Sequence, residues 1–156
     1  MAMKEVSEVV GRYSGLSRKV LDYCLLMKRL VDAAKQPGFS IKSWAPLASL
    51  VSADEFERVG NFKEVMNWGN YVGFLTQWAM TSGWECSFKR ITENGNVVFL
   101  ELEERTKVGG YSSVVNSMSV YEFNNAGKLR HLDIYLQMEL PNSEMLKSYE
   151  GVKISA

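Results

Sequence analysis

Cysteine is nearly missing from this chain of 156 residues. The two present, Cys24 and Cys86, are too few for the framework of bridges that staples a short secreted domain. The count is compatible with two buried thiols or with one bridge. Histidine is scarcer still, with one residue, His131, and together with two distant cysteines it offers no spacing for a zinc site. No sign of charge prevails: 18 basic and 18 acidic residues give a formal net charge of zero. That balance, without a basic stripe, argues against a nucleic-acid binder that works by neutralising phosphates. No apolar run approaches the roughly 18 residues of a membrane helix. The first ten residues carry Lys4, Glu5 and Glu8 rather than the apolar stretch of a secretory signal, so a cytoplasmic protein is expected. No Gly-x-Gly-x-x-Gly loop, phosphate loop or Gly-x-Ser-x-Gly elbow occurs. With no metal or organic cofactor expected, acid–base work on a bound apolar substrate is the chemistry left.

Aromatic and apolar residues are what the chain does have: 46% hydrophobic, 12% aromatic, with four tryptophans and seven tyrosines. The length suits one domain with a real core. From Leu16 to Lys35 the apolar residues Leu16, Val20, Tyr23, Cys24, Met27, Leu30, Val31 and Ala34 fall at helical spacing. Ser17 can cap the start and Pro37-Gly38 ends it. A short helix over Pro46–Val51 and a hairpin of Glu55–Val59 with Lys63–Trp68 follow. Asn70–Thr81 reads as a second amphipathic helix, weakened by Gly73. Four strands close the chain: Glu85–Thr92, Asn96–Glu104, Ser112–Phe123 and Leu129–Gln137, the first two joined through Asn94-Gly95. Pro141 closes the last strand. Helices first and an antiparallel meander after give an α+β class, with residues 1–15 as an extension, 16–140 as the domain and 141–156 as a tail.

That order, the Ala53-Asp54-Glu55-Phe56 passage and above all Val120-Tyr121-Glu122-Phe123-Asn124-Asn125-Ala126-Gly127-Lys128-Leu129 resemble the nuclear-transport-factor-2-like proteins. These include ketosteroid isomerases, limonene epoxide hydrolases and SnoaL-type polyketide cyclases. The likeness runs from about Leu16 to Leu140. It implies a curved antiparallel sheet wrapped around the N-terminal helices as a cone with an apolar pocket. A homodimer formed through the outer sheet face is also implied. Because this fold hosts enzymes and binding modules alike, it does not carry a reaction by itself.

Strand alternation lets the resemblance be followed residue by residue. On the last strand Leu132, Ile134 and Leu136 share one face, predicted to point into the cone, and His131, Asp133, Tyr135 and Gln137 the other. The cyclases' inward His-x-Asp pair counts, without gaps, to Leu132 and Ile134, and the epoxide hydrolases' aspartate to Ile134. Both chemistries then lose a key group. His131-Leu132-Asp133 is itself such a pair, one residue out of step. A β-bulge would turn both side chains inward, where histidine titrates near neutrality and a carboxylate can act as base. Without it they lie outside. On the preceding strand Ser119 falls where the isomerases hold a hydrogen-bond-donating acid, and Tyr121 is a stronger donor candidate. Glu57 is the carboxylate nearest to the isomerase base. Glu103 and Arg105 are expected as an outward ion pair, with Glu104 at the pocket rim.

Two functions remain in view. One is a cofactor-independent isomerase or cyclase acting on a polyketide-, terpenoid- or steroid-like molecule. Its catalytic candidates are Tyr121, Asp133, His131 and Glu57, and its substrate contacts Tyr23, Trp68, Trp78, Ser119, Leu132 and Ile134. The other is a non-catalytic binding or dimerisation module that uses the same pocket or only the outer sheet.

Overall fold

The computed structural model describes residues 2–139, 143, 147 and 149–153. The stop expected at Pro141 and most of the 141–156 tail lie outside them. Helices α1 (Val6–Val9), α2 (Gly15–Ala33) and α3 (Ala45–Ala48) lead, followed by strands β1 (Glu57–Val59) and β2 (Val65–Asn67) and helix α4 (Trp68–Thr81). Strands β3 (Ser82–Asn94), β4 (Val97–Val108), β5 (Tyr111–Phe123) and β6 (Leu129–Gln137) complete the chain.

Helix α2 forms where the apolar spacing places it, and Val20, Leu21, Tyr23, Cys24, Met27, Leu30 and Val31 are its buried stripe. Its start is capped differently from the expectation. Ser17 does not cap; its backbone N–H and its hydroxyl both donate to Glu93 Oε1, at 2.7 and 2.8 Å. The carboxylate at the end of β3 thus satisfies an orphan donor at the positive end of the helix. The N-terminal residues are anchored too: Lys4 pairs with Phe88 on β3, and Val6 and Val9 are buried.

The sheet runs in the order β2-β1-β6-β5-β4-β3. Strands β3 to β6 form the expected antiparallel meander, longer at its start than the alternation indicates. Val108 pairs with Tyr111 across Gly109-Gly110, where Gly109 holds φ +60°, a conformation glycine adopts without a side-chain penalty. The departure from an antiparallel sheet is β1, which pairs with β2 antiparallel but with β6 in parallel. The sheet is therefore mixed, with β1 brought alongside β6 by a long-range contact.

Helices α2 and α4 pack on one face of this sheet. Val20, Val31, Leu47, Val98 and Leu100 are fully buried between the layers, each worth roughly 1.5–3 kcal/mol of apolar burial. Trp44 is buried as well and donates its indole N–H to Thr76 Oγ1 at 2.9 Å. No helix among the described residues is long and apolar enough to cross a membrane.

Candidate functional site

Between α2, α4 and the inner face of the sheet lies a cavity of about 910 Å³, within the range of small-molecule sites. Its walls are apolar and aromatic: Met27 from α2, Phe74 and Trp78 from α4, Trp84 from β3, and Leu132 and Ile134 from β6. Tyr149 also lines it, edge-on to Phe62 with ring centres 5.1 Å apart. A smaller cavity of about 180 Å³ shares Tyr23 and Tyr121, so those two rings stand between the spaces. They meet in a T-shaped contact with centroids 5.8 Å apart.

Among the polar groups of the large cavity, beside the phenols of Tyr111 and Tyr149, the Gln77 amide and several hydroxyls, five stand out. Tyr23, Tyr71 and Tyr121 bring three phenols, Arg58 a guanidinium, and Glu104 a carboxylate. Burial pushes the Tyr23 phenol well above its ordinary pKa, with the neighbouring Tyr71 and Tyr121 adding to the shift. Burial likewise raises Tyr121 well above the ordinary value, helped by Cys24, Tyr71 and Glu104. Tyr71 is raised by burial, with Arg58 working in the opposite direction. All three are therefore neutral hydrogen-bond donors at pH 7. The Tyr23 hydroxyl is buried and makes no hydrogen bond of ordinary geometry, with the Tyr71 phenol as its polar neighbour. Glu104 accepts the indole N–H of Trp84 at 2.8 Å.

Arg58 stacks over Tyr71, its Cζ 5.1 Å from the ring centre. Its Nη1 stands 3.5 Å from Glu64 Oε1, in a pair whose side chains are 12% and 1% exposed. Glu64 Oε2 accepts the Phe62 backbone N–H at 2.9 Å. The Nε of Arg58 is buried without a partner.

Tyr23, Tyr121, Ser119, Trp78, Leu132 and Ile134 all line the cavity, as their positions imply. Trp68 does not; it packs edge-on against Phe56 at 5.2 Å, one layer behind the wall. Of the two orientations open to His131 and Asp133, the structure has the outward one that the alternation predicts, which removes them and Glu57 as catalytic groups of the cavity. On the parallel β1–β6 ladder Arg58 pairs with Leu132, while Glu57 pairs with His131 and Val59 with Asp133. Since Arg58 and Leu132 face the cavity, Glu57, His131 and Asp133 face away. There His131 Nε2 lies 2.9 Å from Asp133 and its Nδ1 3.6 Å from Glu57.

A bulge does occur in β6, yet it has the opposite effect to the one required. Phe123 pairs with Leu129 and Glu122 with His131, leaving Arg130 as the extra residue. That slip lets Leu129 and Leu132 both turn into the core and keeps the His-x-Asp pair outside. Glu103 and Arg105 form the expected outer pair at 3.0 Å.

Arg58 and Tyr71 are the site residues that the sequence pattern does not single out. Tyr71 merges with the apolar stripe of α4. Arg58 sits in a three-residue strand, too short to show alternation, so its direction follows from pairing with β6. Glu104, in contrast, is readable from parity with Leu100 and Leu102.

No family model and no curated protein sequence matches the chain. Solved structures do. An NTF2-like protein from Anabaena variabilis is 14% identical, covering 81% of this chain and 96% of its own, with a TM-score of 0.57. A protein assigned as a SnoaL-like polyketide cyclase from Jannaschia sp. CCS1 is 12% identical over 80% of this chain and 90% of its own, TM-score 0.55. An LEH-like epoxide hydrolase from M. tuberculosis is 15% identical over 71% and 82%, TM-score 0.53. At these identities the likeness is one of fold. With its helices packed on a six-stranded mixed sheet around a common cavity, the chain has the NTF2-like fold.

Proposed function

We propose that this protein binds an apolar small molecule of polyketide, terpenoid or steroid size in the large cavity. The observation that carries the reading is the buried hydroxyl of Tyr23, a residue that lines an aromatic cavity of about 910 Å³; this hydroxyl makes no hydrogen bond of ordinary geometry in the protein. A core built for packing alone has no use for such a group, because an unsatisfied buried hydroxyl costs roughly 1–3 kcal/mol. A ligand oxygen supplies the missing acceptor. Native mass spectrometry of the purified protein, before and after denaturation, tests this. A released small molecule, or saturable binding of an apolar probe at one site per chain, is the expected result; neither would end the reading.

A second, catalytic reading rests on Glu104, a carboxylate that shares the cavity with Tyr121. Glu104 would take a proton from carbon while Tyr121 donates to the oxygen that gains charge, the work of an isomerase or cyclase. Exchange of α-hydrogens of cyclic ketones in deuterated water, followed by NMR, is its assay. Exchange that survives in Glu104→Gln would remove this residue from the role.

A homodimer in the cytoplasm belongs to the same proposal. Its location rests on the low cysteine content. Its interface would be the outer sheet face, where Met118 and Tyr135 are register partners and 37% and 55% exposed. Sedimentation should give twice the chain mass, and Met118→Glu should shift it towards the monomer.

A further inference from the structure

Charge is distributed unevenly in the cavity, and that points to a chemical class of ligand. Arg58 acts electrostatically on Tyr23 and Tyr71, while at Tyr149 the Glu64 carboxylate outweighs it. Glu104 acts on Cys24, Tyr71 and Tyr121 and is tied to Trp84. A cation paired with a carboxylate therefore lies by β1 and Tyr149, and a carboxylate bound to a neutral indole by β3 and β4.

At the Arg58 end the donors outnumber the acceptors. A guanidinium carries five N–H donors. Glu64 takes one of them, at the long distance of 3.5 Å, and spends its other oxygen on the Phe62 N–H. The Nε has no hydrogen-bond partner, and the phenol of Tyr23 makes no bond of ordinary geometry, with only the Tyr71 phenol beside it. Nε and the adjacent Nη2 form the side-on fork by which arginine takes a carboxylate through two parallel bonds. Around this end Phe62, Phe74 and Tyr149 close the wall, so that a charge-assisted bond here is shielded from water.

We propose that Arg58 is the anchoring residue of the cavity and that its ligand is an apolar carboxylic acid. The carboxylate takes the Nε edge of Arg58 and the hydroxyl of Tyr23, and the hydrocarbon body lies towards Trp78 and Trp84. The inference rests on the binding reading above and adds the ligand's polar group to it. Glu104 repels a carboxylate, which sets the orientation: the acid group goes to the Arg58 end.

The test compares 1-pyrenebutanoate with 1-pyrenebutanol, which share one hydrocarbon body. Binding is read by energy transfer from tryptophan, since Trp78 and Trp84 line the cavity. The acid should bind about tenfold more tightly than the alcohol, although the alcohol is the more apolar of the two. In the double variant Arg58→Gln/Glu64→Gln, which leaves no lone buried charge, the two affinities should converge, with that of the acid falling by more than that of the alcohol. Glu104→Gln should tighten the acid alone, and Tyr23→Phe should weaken the acid more than the alcohol; these two variants carry the test if the double variant does not fold. Equal affinities in the unmodified protein, or a preference for the acid that persists without Arg58, would overturn the proposal and leave the binding reading intact. If neither probe binds, the binding reading itself fails and takes this inference with it.

Discussion

Removing one member of the Arg58–Glu64 pair should cost more than removing both. Glu64 is 1% exposed and Arg58 12%, so either charge left alone is a buried, uncompensated ion. Breaking such a pair costs about 3–5 kcal/mol, whereas replacing both members is often close to neutral. The 3.5 Å separation puts each single variant at the lower end, about 3 kcal/mol. Glu64→Gln keeps a carbonyl oxygen for the Phe62 N–H, so its loss reports the charge and not the hydrogen bond. Arg58→Gln also removes the cation from the Tyr71 ring, a contact worth about 1 kcal/mol. The double variant should lose about 2 kcal/mol, against about 6 for the sum of the singles. Urea denaturation read by tryptophan fluorescence measures all four corners of the cycle. At this chain length each kcal/mol is also about 2–4 °C in Tm. Losses that add within about 0.5 kcal/mol would show that the two charges are not coupled. The electrostatic account of the cavity's Arg58 end would then be wrong.

Gly60→Ala should destabilise by about 2 kcal/mol in the same assay, because a Cβ there would overlap the Glu64 carboxylate. Gly73→Ala should do the reverse: nothing lies within 4 Å of its Cβ position on α4, and alanine gains about 0.5–1 kcal/mol of helix preference. Tyr23, Tyr71 and Tyr121 have phenol pKa values raised from the ordinary 10.0. The stability they contribute is complete below pH 10 and is lost as pH rises towards their folded values. An absorbance titration should accordingly show these three ionising only with unfolding, and free ionisation at pH 10 would contradict their burial. His131→Gln and Asp133→Asn should leave probe affinity unchanged and shift stability by less than about 1 kcal/mol, as an outer, partly exposed pair does; a changed affinity would put them inside.

The parts of the structure legible in the sequence are those fixed by local period. The stripe from Val20 to Val31 gives α2, and the alternation from Leu132 to Leu136 gives both β6 and its inner face. What is not legible depends on contacts between distant segments. Ser17 has the chemistry of a cap, but Glu93 fills the role because the β3–β4 hairpin reaches the end of α2. Arg58 and Glu57 are indistinguishable as neighbours in a three-residue strand. Only the parallel register with His131 and Leu132 decides which of them enters the cavity. The bulge at Arg130 is likewise invisible in the residue pattern, although it accounts for the burial of both Leu129 and Leu132.

The two faces of the sheet treat charge in opposite ways, and the contrast bears on function. Outside, Arg90 pairs with Glu101, Arg105 with Glu103 and Arg130 with Glu122. Such pairs lie in or near solvent, where each adds about 0–1 kcal/mol and constrains little. Inside, Arg58 is mostly and Glu104 partly withdrawn from water. Among the described residues four buried side-chain atoms make no hydrogen bond of ordinary geometry, and three of them, on Tyr23, Arg58 and Ser82, belong to residues that line the cavity. Unmet polar groups cost stability wherever they are buried, so their gathering around one space has no explanation in packing. It is the pattern expected of a site left incomplete by the protein alone, in which an oxygen-bearing ligand supplies the acceptors and recovers part of that cost by mass action.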